Sequence, residues 1–177
     1  HCTTLEIPGY HKLLFVGDVA VIPAPDFKQK MTIMDCLVKT ARAVGVEKPK
    51  VAIIAATEQV LQSQPATIEA AMLAKMVDRG QIKGCIADGP LALDVAIDKE
   101  SADIKGLVSP VAGDADCLLF PNIESGNVFY KVNSKLVVGV RQAGMLVGAK
   151  VPCVLSSRAD SIDTKLNSIA IAAMSVK

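Results

Sequence analysis

The sequence is poor in aromatic residues and carries almost no net charge. Aromatic residues make up 3% of the 177 residues, tryptophan is absent, and the formal net charge is +1. Proteins that read nucleic acid use stacking aromatics or a basic face, and a membrane-spanning helix needs about 20 apolar residues in a row. The sequence shows neither feature. We therefore expect no nucleic acid and no membrane among the partners.

Several motifs of nucleotide and metal enzymes are also absent. The sequence contains no P-loop, GxGxxG, GxSxG or HExxH pattern, so the dinucleotide-binding and zinc-hydrolase classes lack support. Its five cysteines lie far apart without CxxC spacing, and most sit in apolar runs, where cysteine acts as a small hydrophobic residue. This usage favours a reducing, cytoplasmic compartment and argues against a metal site.

The apolar residues indicate the fold class. They make up 51% of the chain and are mainly Ala, Val, Ile and Leu, in short runs that alternate with segments of helical periodicity. This alternation predicts an α/β fold, a mostly parallel sheet with helices on both faces. The predicted strands are 2–7, 13–16, 19–22, 51–56, 84–87, 117–120, 145–148 and 151–155. The predicted helices are 27–44, 65–77, 91–97, 127–138 and 161–174, with a polar loop from 98 to 113.

Three polar turns lie beside predicted strands. They are Gly-Asp-Ala-Asp at 113–116, Ser-Gly-Asn at 125–127 followed by Tyr-Lys, and Ser-Ser-Arg-Ala-Asp-Ser at 156–161. In α/β proteins, loops at strand ends form the crevice where ligands bind. A hydroxyl, a guanidinium and carboxylates at such an edge predict an anionic substrate and acyl or phosphoryl chemistry.

Ser157 and Arg158 are the strongest candidates for a site. They precede a predicted helix, whose free N–H groups favour an anion, and Arg158 can bind a phosphate or carboxylate with two parallel hydrogen bonds. The alternative is a capped helix, with Asp160 at the N-cap and Asp163 three residues later in a capping box. The pattern alone favours the cap.

The other candidates have equally ordinary alternatives. Gly126 permits a close backbone approach to a ligand, whereas Asn127 is more simply explained as a helix cap. Two carboxylates, Asp114 and Asp116, are weak evidence for a metal without further ligands. His11 is more simply a surface residue than a base.

Several of these motifs, in the same order, resemble the phosphate acetyl/butyryltransferase family. They occupy residues 88–94, 109–116, 125–131, 147–150, 156–161 and 165–168. The sequence motifs Gly-Pro-Leu-Ala-Leu-Asp and Ser-Arg-Ala-Asp-Ser are similar to those of the phosphate butyryltransferase branch. The resemblance implies a fold similar to isocitrate and isopropylmalate dehydrogenases, with two α/β domains and an active site in the cleft between them.

The same resemblance implies a function. The family exchanges an acyl group between coenzyme A and orthophosphate, here butyryl-CoA and phosphate giving butyryl phosphate and coenzyme A. It implies coenzyme A as a substrate, no permanently bound cofactor and a homodimer. A phosphate acetyltransferase remains the nearest alternative, and a non-catalytic module that binds coenzyme A or an acyl phosphate is the other.

Site residues follow from the resemblance. Ser157 and Arg158 fall on the family's active-site Ser-Arg pair, and we expect Gly126, Asn127 and Lys131 to bind substrate. In the acetyl branch, the acid that takes the thiol proton lies seven residues after the serine. That position is Thr164 in this sequence, and its neighbour Asp163 points about 100° away on a helix. Asp160 and Asp163 are therefore candidates for the proton acceptor.

The family's N-terminal segment has no counterpart here. The chain begins at His1 rather than a methionine, and we expect a longer parent protein. On this interpretation residues 11–150 form the central, second domain. Residues 1–10 and 151–177 are remnants of the first domain, most of which is absent.

Overall fold

A computed structural model describes residues 1–176 as one seven-stranded sheet with six helices. The strands are β1 (Cys2–Glu6), β2 (Leu14–Gly17), β3 (Lys50–Ile54), β4 (Ile86–Leu91), β5 (Cys117–Leu119), β6 (Arg141–Leu146) and β7 (Cys153–Val154). The helices are α1 (Phe27–Ala43), α2 (Pro65–Asp78), α3 (Leu93–Ile97), α4 (Lys99–Ile104), α5 (Ile123–Leu136) and α6 (Ile162–Met174). None of these helices is long and apolar enough to cross a membrane.

The strands follow the order β4-β3-β5-β2-β1-β6-β7 across the sheet. Strands β4, β3, β5 and β2 pair in parallel, β1 is antiparallel to both β2 and β6, and β7 is antiparallel to β6. Strand β6 therefore runs in the same direction as the parallel four, so that five strands share one direction. This arrangement confirms the predicted α/β, mostly parallel sheet.

Helices cover both faces of the sheet, as predicted. Phe15 on β2 packs into a core with α1 and α2, whereas its neighbours Leu14 and Val16 belong to a second core with α3, α4 and α5. Successive strand residues point to opposite faces, which is why β2, β5 and the part of β3 after Lys50 contain no polar side chain. The scarcity of aromatics is accommodated because Ala, Val and Leu fill both cores.

Two predicted segments have a different structure. Residues 19–22 are not a strand, because the buried Asp18 carboxylate accepts hydrogen bonds from the backbone N–H groups of Ala20, Val21 and Ile22. These local bonds take the place of a strand ladder. The predicted loop at 98–113 contains α4, whose N-cap Asp98 accepts from the Ser101 backbone N–H.

Three helix starts were also predicted wrongly, and the first of them is that of α3, which begins at Leu93 rather than at 91. Helix α5 begins at Ile123, and its N-cap is Asn122, so Asn127 lies inside the helix rather than capping it. Helix α6 begins at Ile162, and its N-cap is Ser161, whose hydroxyl accepts from the Thr164 backbone N–H. The predicted capping box of Asp160 and Asp163 is therefore not formed. The Asp160 carboxylate does not cap the helix and forms other hydrogen bonds.

The Gly-Asp-Ala-Asp turn at 113–116 forms an ion-pair cluster near the amino ends of β2, β3 and β5. The Asp114 carboxylate accepts hydrogen bonds from His11 Nε2 at 2.7 Å and Lys50 Nζ at 2.6 Å, and it pairs with Lys12 Nζ at 2.8 Å. Asp116 pairs with Lys12 and accepts the Lys50 backbone N–H. Each acid is thus bound to protein cations, and the cluster is structural.

The cluster predicts a loss of stability in acid. Burial alone would raise the pKa of Asp114, but hydrogen bonds from Lys12, Lys50 and His11 hold that pKa far below its usual value. A carboxyl with a lowered folded-state pKa stabilises the protein above its unfolded pKa, about 4, and loses this contribution as the pH falls further. We expect Asp114→Asn to lower the free energy of unfolding by about 1–2 kcal/mol near neutral pH.

The measurement is urea unfolding of wild type and Asp114→Asn between neutral pH and about pH 3. The two free energies should converge as the pH falls. Asp103→Asn is the matched control, because Asp103 forms one exposed pair with Lys99 and such pairs contribute little. Parallel curves for wild type and Asp114→Asn would show that the cluster does not stabilise the fold.

Candidate active site

A polar cavity of about 250 Å³ lies over β1 and β6. Helix α5 forms one wall, and the turn at 155–160 between β7 and α6 forms another. Four residues predicted from the sequence line it, namely Asn127, Lys131, Ser157 and Asp160. Two of the three polar turns therefore meet at one place, whereas the turn at 113–116 lies elsewhere.

The Asp160 carboxylate is the centre of a hydrogen-bond network in this cavity. Its Oδ2 accepts the Ser157 backbone N–H at 2.6 Å, and its Oδ1 accepts the Tyr130 hydroxyl at 2.9 Å. Gln142 Nε2 lies 3.4 Å from the same Oδ1. One carboxylate thus ties α5, β6 and the Ser157 turn together, and it holds the backbone that carries Ser157 and Arg158.

Tyr130 and Lys131 contribute a neutral donor and a positive charge. Burial, together with the hydrogen bond to Asp160, raises the pKa of the Tyr130 phenol above its usual value, so the hydroxyl keeps its proton at neutral pH. Lys131 Nζ lies 4.9 Å from the centroid of the Tyr130 ring. Lys131 forms no ion pair within residues 1–176. Its ammonium group is available to an anion.

Arg158 and Asp163 do not line the cavity. Arg158 is exposed next to Ser157, and its guanidinium makes no ion pair with the described residues. Asp163 is exposed in the first turn of α6. The next residue, Thr164, is buried and lines the cavity, so the helical geometry places the hydroxyl, and not the acid, toward the site.

Gly126 is buried and lies outside the cavity lining. A Cβ at this position would lie 2.4 Å from the Asp18 carbonyl oxygen, so the glycine lets α5 approach the loop that follows β2. Asn127 holds the same loop, because its Nδ2 donates to the Val19 carbonyl at 2.9 Å. In this structure both residues pack the wall of the site, and Asn127 also faces the cavity.

Sequence reasoning did not assign Tyr130 or Gln142 to the site, and it considered Thr164 only as the residue seven positions after Ser157. Tyr130 lies three residues after Asn127 and hence on the same helix face. This spacing could have identified Tyr130 as a second site residue on that face. Gln142 is a polar residue in a buried strand, but the predicted strand began at 145. Among residues 1–176 no group of three or more His, Cys, Asp or Glu side chains could hold a metal ion.

The fold and this site together define an α/β protein with a cavity that brings together the side chains of Lys131, Ser157 and Asp160. The family described as phosphate acetyl/butaryl transferase matches residues 2–173. The chain belongs to this family.

Curated relatives and solved structures agree with the assignment. The chain is 51% identical to a phosphate butyryltransferase of Clostridium acetobutylicum over 174 residues, covering 98% of the chain and 58% of the relative. It is 45% identical to a phosphate acetyltransferase of Thermotoga maritima, covering 97% and 58%. A branched-chain phosphotransacylase from Enterococcus faecalis superimposes with a TM-score of 0.87 at 30% identity, covering 98% and 62%. The chain spans less than two thirds of the length of each.

Proposed function

We propose that the whole protein, meaning the complete product that contains this chain, transfers a short-chain acyl group between coenzyme A and orthophosphate. The observation that carries the proposal is the meeting of Ser157, Lys131 and the Asp160 carboxylate in one cavity, beside the free Arg158 guanidinium. These groups supply a hydroxyl donor, two cations and a fixed turn, which suits an acyl phosphate and the charge that develops on it.

The reaction needs no covalent enzyme intermediate. The thiolate of coenzyme A attacks the acyl carbonyl carbon, the new C–S bond forms, the bond to the phosphate oxygen breaks, and phosphate leaves. Arg158 and Lys131 bind the phosphoryl oxygens, and the Ser157 hydroxyl donates to the reacting oxygens. Holding both substrates in line supplies much of the rate enhancement. Asp160 is the acid that lines the cavity, and we propose it as the acceptor of the thiol proton.

The experiment is phosphate-dependent release of thiol from acetyl-, butyryl- and isobutyryl-CoA by the whole protein. The sequence motifs and the names of the relatives support a four-carbon or branched acyl group as the preferred substrate. One methylene in such a pocket changes the transition-state free energy by about 1–3 kcal/mol, so kcat/KM should fall about 10-fold or more for acetyl-CoA. A preference for acetyl-CoA would make the protein a phosphate acetyltransferase. Coenzyme A binding without thiol release would indicate a binding module.

We also propose the division into residues 11–150 as a central domain and residues 1–10 and 151–177 as parts of another, with β1 of the second part pairing with β2 and β6 of the first in one continuous sheet. The outward face of α6 supports it, since Ile162, Leu166 and Ile169 are each more than half exposed. Apolar faces of this kind mark interaction surfaces. The proposal places a further domain of the whole protein against this face, with the substrate cleft between the two.

The isolated 177-residue chain is therefore expected to associate. Sedimentation at micromolar concentration should show oligomers for the wild type and a shift toward monomer for Leu166→Lys. Met72→Lys is the control, because Met72 is also half-exposed but lies on α2. A monomeric wild type with one cooperative melt would contradict the proposed division.

A homodimer in the cytoplasm completes the proposal. Val128, Val132 and Leu136 form an exposed apolar stripe along α5 at four-residue spacing, and a second copy of the central domain would cover it. All five cysteines are free, which suits a reducing compartment. Sedimentation of the whole protein tests the dimer, and Val132→Lys with Leu136→Lys should dissociate it.

A further inference from the structure

Gln142 contains a buried polar atom that the protein leaves without a partner. The residue lies on β6, is 8% exposed and lines the polar cavity. Its Oε1 is the one buried side-chain atom without a hydrogen bond among the described residues. An unsatisfied buried acceptor costs about 1–3 kcal/mol, and such atoms are rare in native proteins. Its position in the cavity points to a ligand that completes the bond.

The neighbours of Gln142 fix which end of the amide is free. Gln142 Nε2 lies 3.4 Å from Asp160 Oδ1 and 3.4 Å from the Tyr130 hydroxyl oxygen, which itself donates to Asp160. Rotating the amide by 180° would place Oε1 against the Asp160 carboxylate, acceptor against acceptor. The amide nitrogen therefore faces Asp160, and the ligand meets an acceptor oxygen.

An acceptor oxygen discriminates between the two substrates of the proposed reaction. The phosphoryl oxygens of an ionised acyl phosphate are acceptors, so Oε1 repels them and leaves them to Lys131 and Arg158. Orthophosphate keeps an O–H donor at neutral pH, so its own KM must be measured to separate it from coenzyme A. The thiol substrate carries donors, namely its S–H group and the amide N–H groups of the pantetheine arm. The S–H group is lost when coenzyme A is acylated, whereas the amide N–H is present in both forms that a reversible enzyme must bind.

We propose that Gln142 Oε1 accepts a hydrogen bond from the pantetheine amide N–H nearest the thiol of coenzyme A. This inference rests on the proposed function. The cavity volume of about 250 Å³ is below that of pockets that enclose a whole drug-sized ligand, so it suits the reacting end of the substrate. Gln142 thereby aligns the sulfur with the acyl carbon held beside Ser157.

The first test is Gln142→Met in the whole protein, because methionine has a similar length and no amide. A neutral hydrogen bond made equally in the ground and transition states changes KM rather than kcat. We expect KM for butyryl-CoA and KM for coenzyme A to rise about 3- to 10-fold. The KM for phosphate should stay within about twofold. Tyr130→Phe is the control, since it removes a hydrogen bond to Asp160 and keeps Gln142, and it should lower kcat without that selective change in KM.

The second test compares two ligands, and its decisive measurement is made on the wild type. A coenzyme A analogue in which the amide nearest the thiol is replaced by an ester presents an acceptor instead of a donor. Wild type should bind it about 10-fold more weakly than coenzyme A, and Gln142→Met should bind the two alike. Equal binding by wild type would overturn the inference even if the variant does not fold.

The remaining outcomes separate this inference from the proposed function. Failure of wild type to release thiol overturns the function and this inference with it. Release by wild type with an unchanged KM for coenzyme A in Gln142→Met overturns the inference alone and leaves water as the partner of Oε1. A rise in KM for phosphate only, or a fall in kcat without a rise in KM for coenzyme A, has the same consequence.

Discussion

Replacing Arg158 by alanine in the whole protein is expected to lower kcat/KM by at least about 100-fold, the effect typical of a lost donor to transition-state charge. Its exposed guanidinium makes no ion pair within residues 1–176, so the free energy of unfolding should hardly change. The measurement is initial rates of phosphate-dependent thiol release, with urea unfolding to show an intact fold.

Two further variants test whether the effect of Arg158→Ala is specific to the guanidinium at this position. Arg158→Lys keeps the charge and loses the planar pair of donors, and it should recover only part of the rate. Arg141→Ala is the matched control, because Arg141 is an exposed arginine on β6 whose guanidinium pairs with Glu6 at 3.2 Å. Its loss should cost little. Near-normal turnover by Arg158→Ala would remove Arg158 from the site.

The strands that are apolar along their length were predictable, whereas β4 (Ile86–Leu91) and β6 (Arg141–Leu146), which contain polar residues, were predicted only in part, at 84–87 and 145–148. Residues 51–54 and 117–119 are apolar throughout, as strands buried on both faces must be, and the structure has both. Residues 19–22 are just as apolar but follow Asp18, whose carboxylate binds three successive backbone N–H groups. A pattern of apolar residues does not reveal that a preceding side chain competes for the backbone.

Four residues named from the sequence line the cavity, namely Asn127, Lys131, Ser157 and Asp160, but their arrangement there was not predicted. Two adjacent residues, Asp160 and Ser161, are both good N-caps, and only the tertiary structure decides between them. Ser161 caps α6, because Tyr130 and Ser157 engage the Asp160 carboxylate. These partners lie on α5 and in the turn after β7, so no local pattern reports them.

Local sequence patterns do not report tertiary position, and for this reason the three polar turns were predicted to lie together at one edge of the sheet. Each has the residue types of a binding loop, but the end of the sheet at which a turn lies depends on strand order and direction. The turn at 113–116 precedes β5 and meets Lys50 at the start of β3. The turn at 156–161 follows β7 and meets α5. Chain connectivity through the whole sheet, rather than composition, separates a structural cluster from a site.

Asp160→Asn is expected to lower kcat by about 100- to 10,000-fold in the whole protein, the range for loss of a general base. The substitution also places an amide nitrogen against either the Ser157 N–H or Gln142 Nε2, donor against donor. A clash with a buried donor costs about 1–3 kcal/mol of stability, and the Ser157 turn loses its fixed position. The loss of the base and the displacement of the Ser157 turn both act where substrate binds. The activation free energy should therefore change by more than the free energy of unfolding.

Asp163→Asn is the matched control, since Asp163 is three residues away, exposed and outside the cavity lining. Its rate should stay within about twofold of wild type, because asparagine near a helix start perturbs the helix little. Tyr130→Phe separates the two roles of Asp160. It removes the 2.9 Å bond to Oδ1 and keeps the carboxylate, so it loosens the turn and spares the base.

A base at Asp160 predicts that the acid limb of the pH profile of kcat persists in Tyr130→Phe and is lost in Asp160→Asn. A carboxylate that only positions Ser157 predicts lowered rates with the same acid limb in both variants. Thiol release by Asp160→Asn at the wild-type rate would contradict both roles. Loss of activity in Asp163→Asn alone would instead place the proton acceptor on the exposed face of α6, where a second domain of the whole protein would have to complete the site.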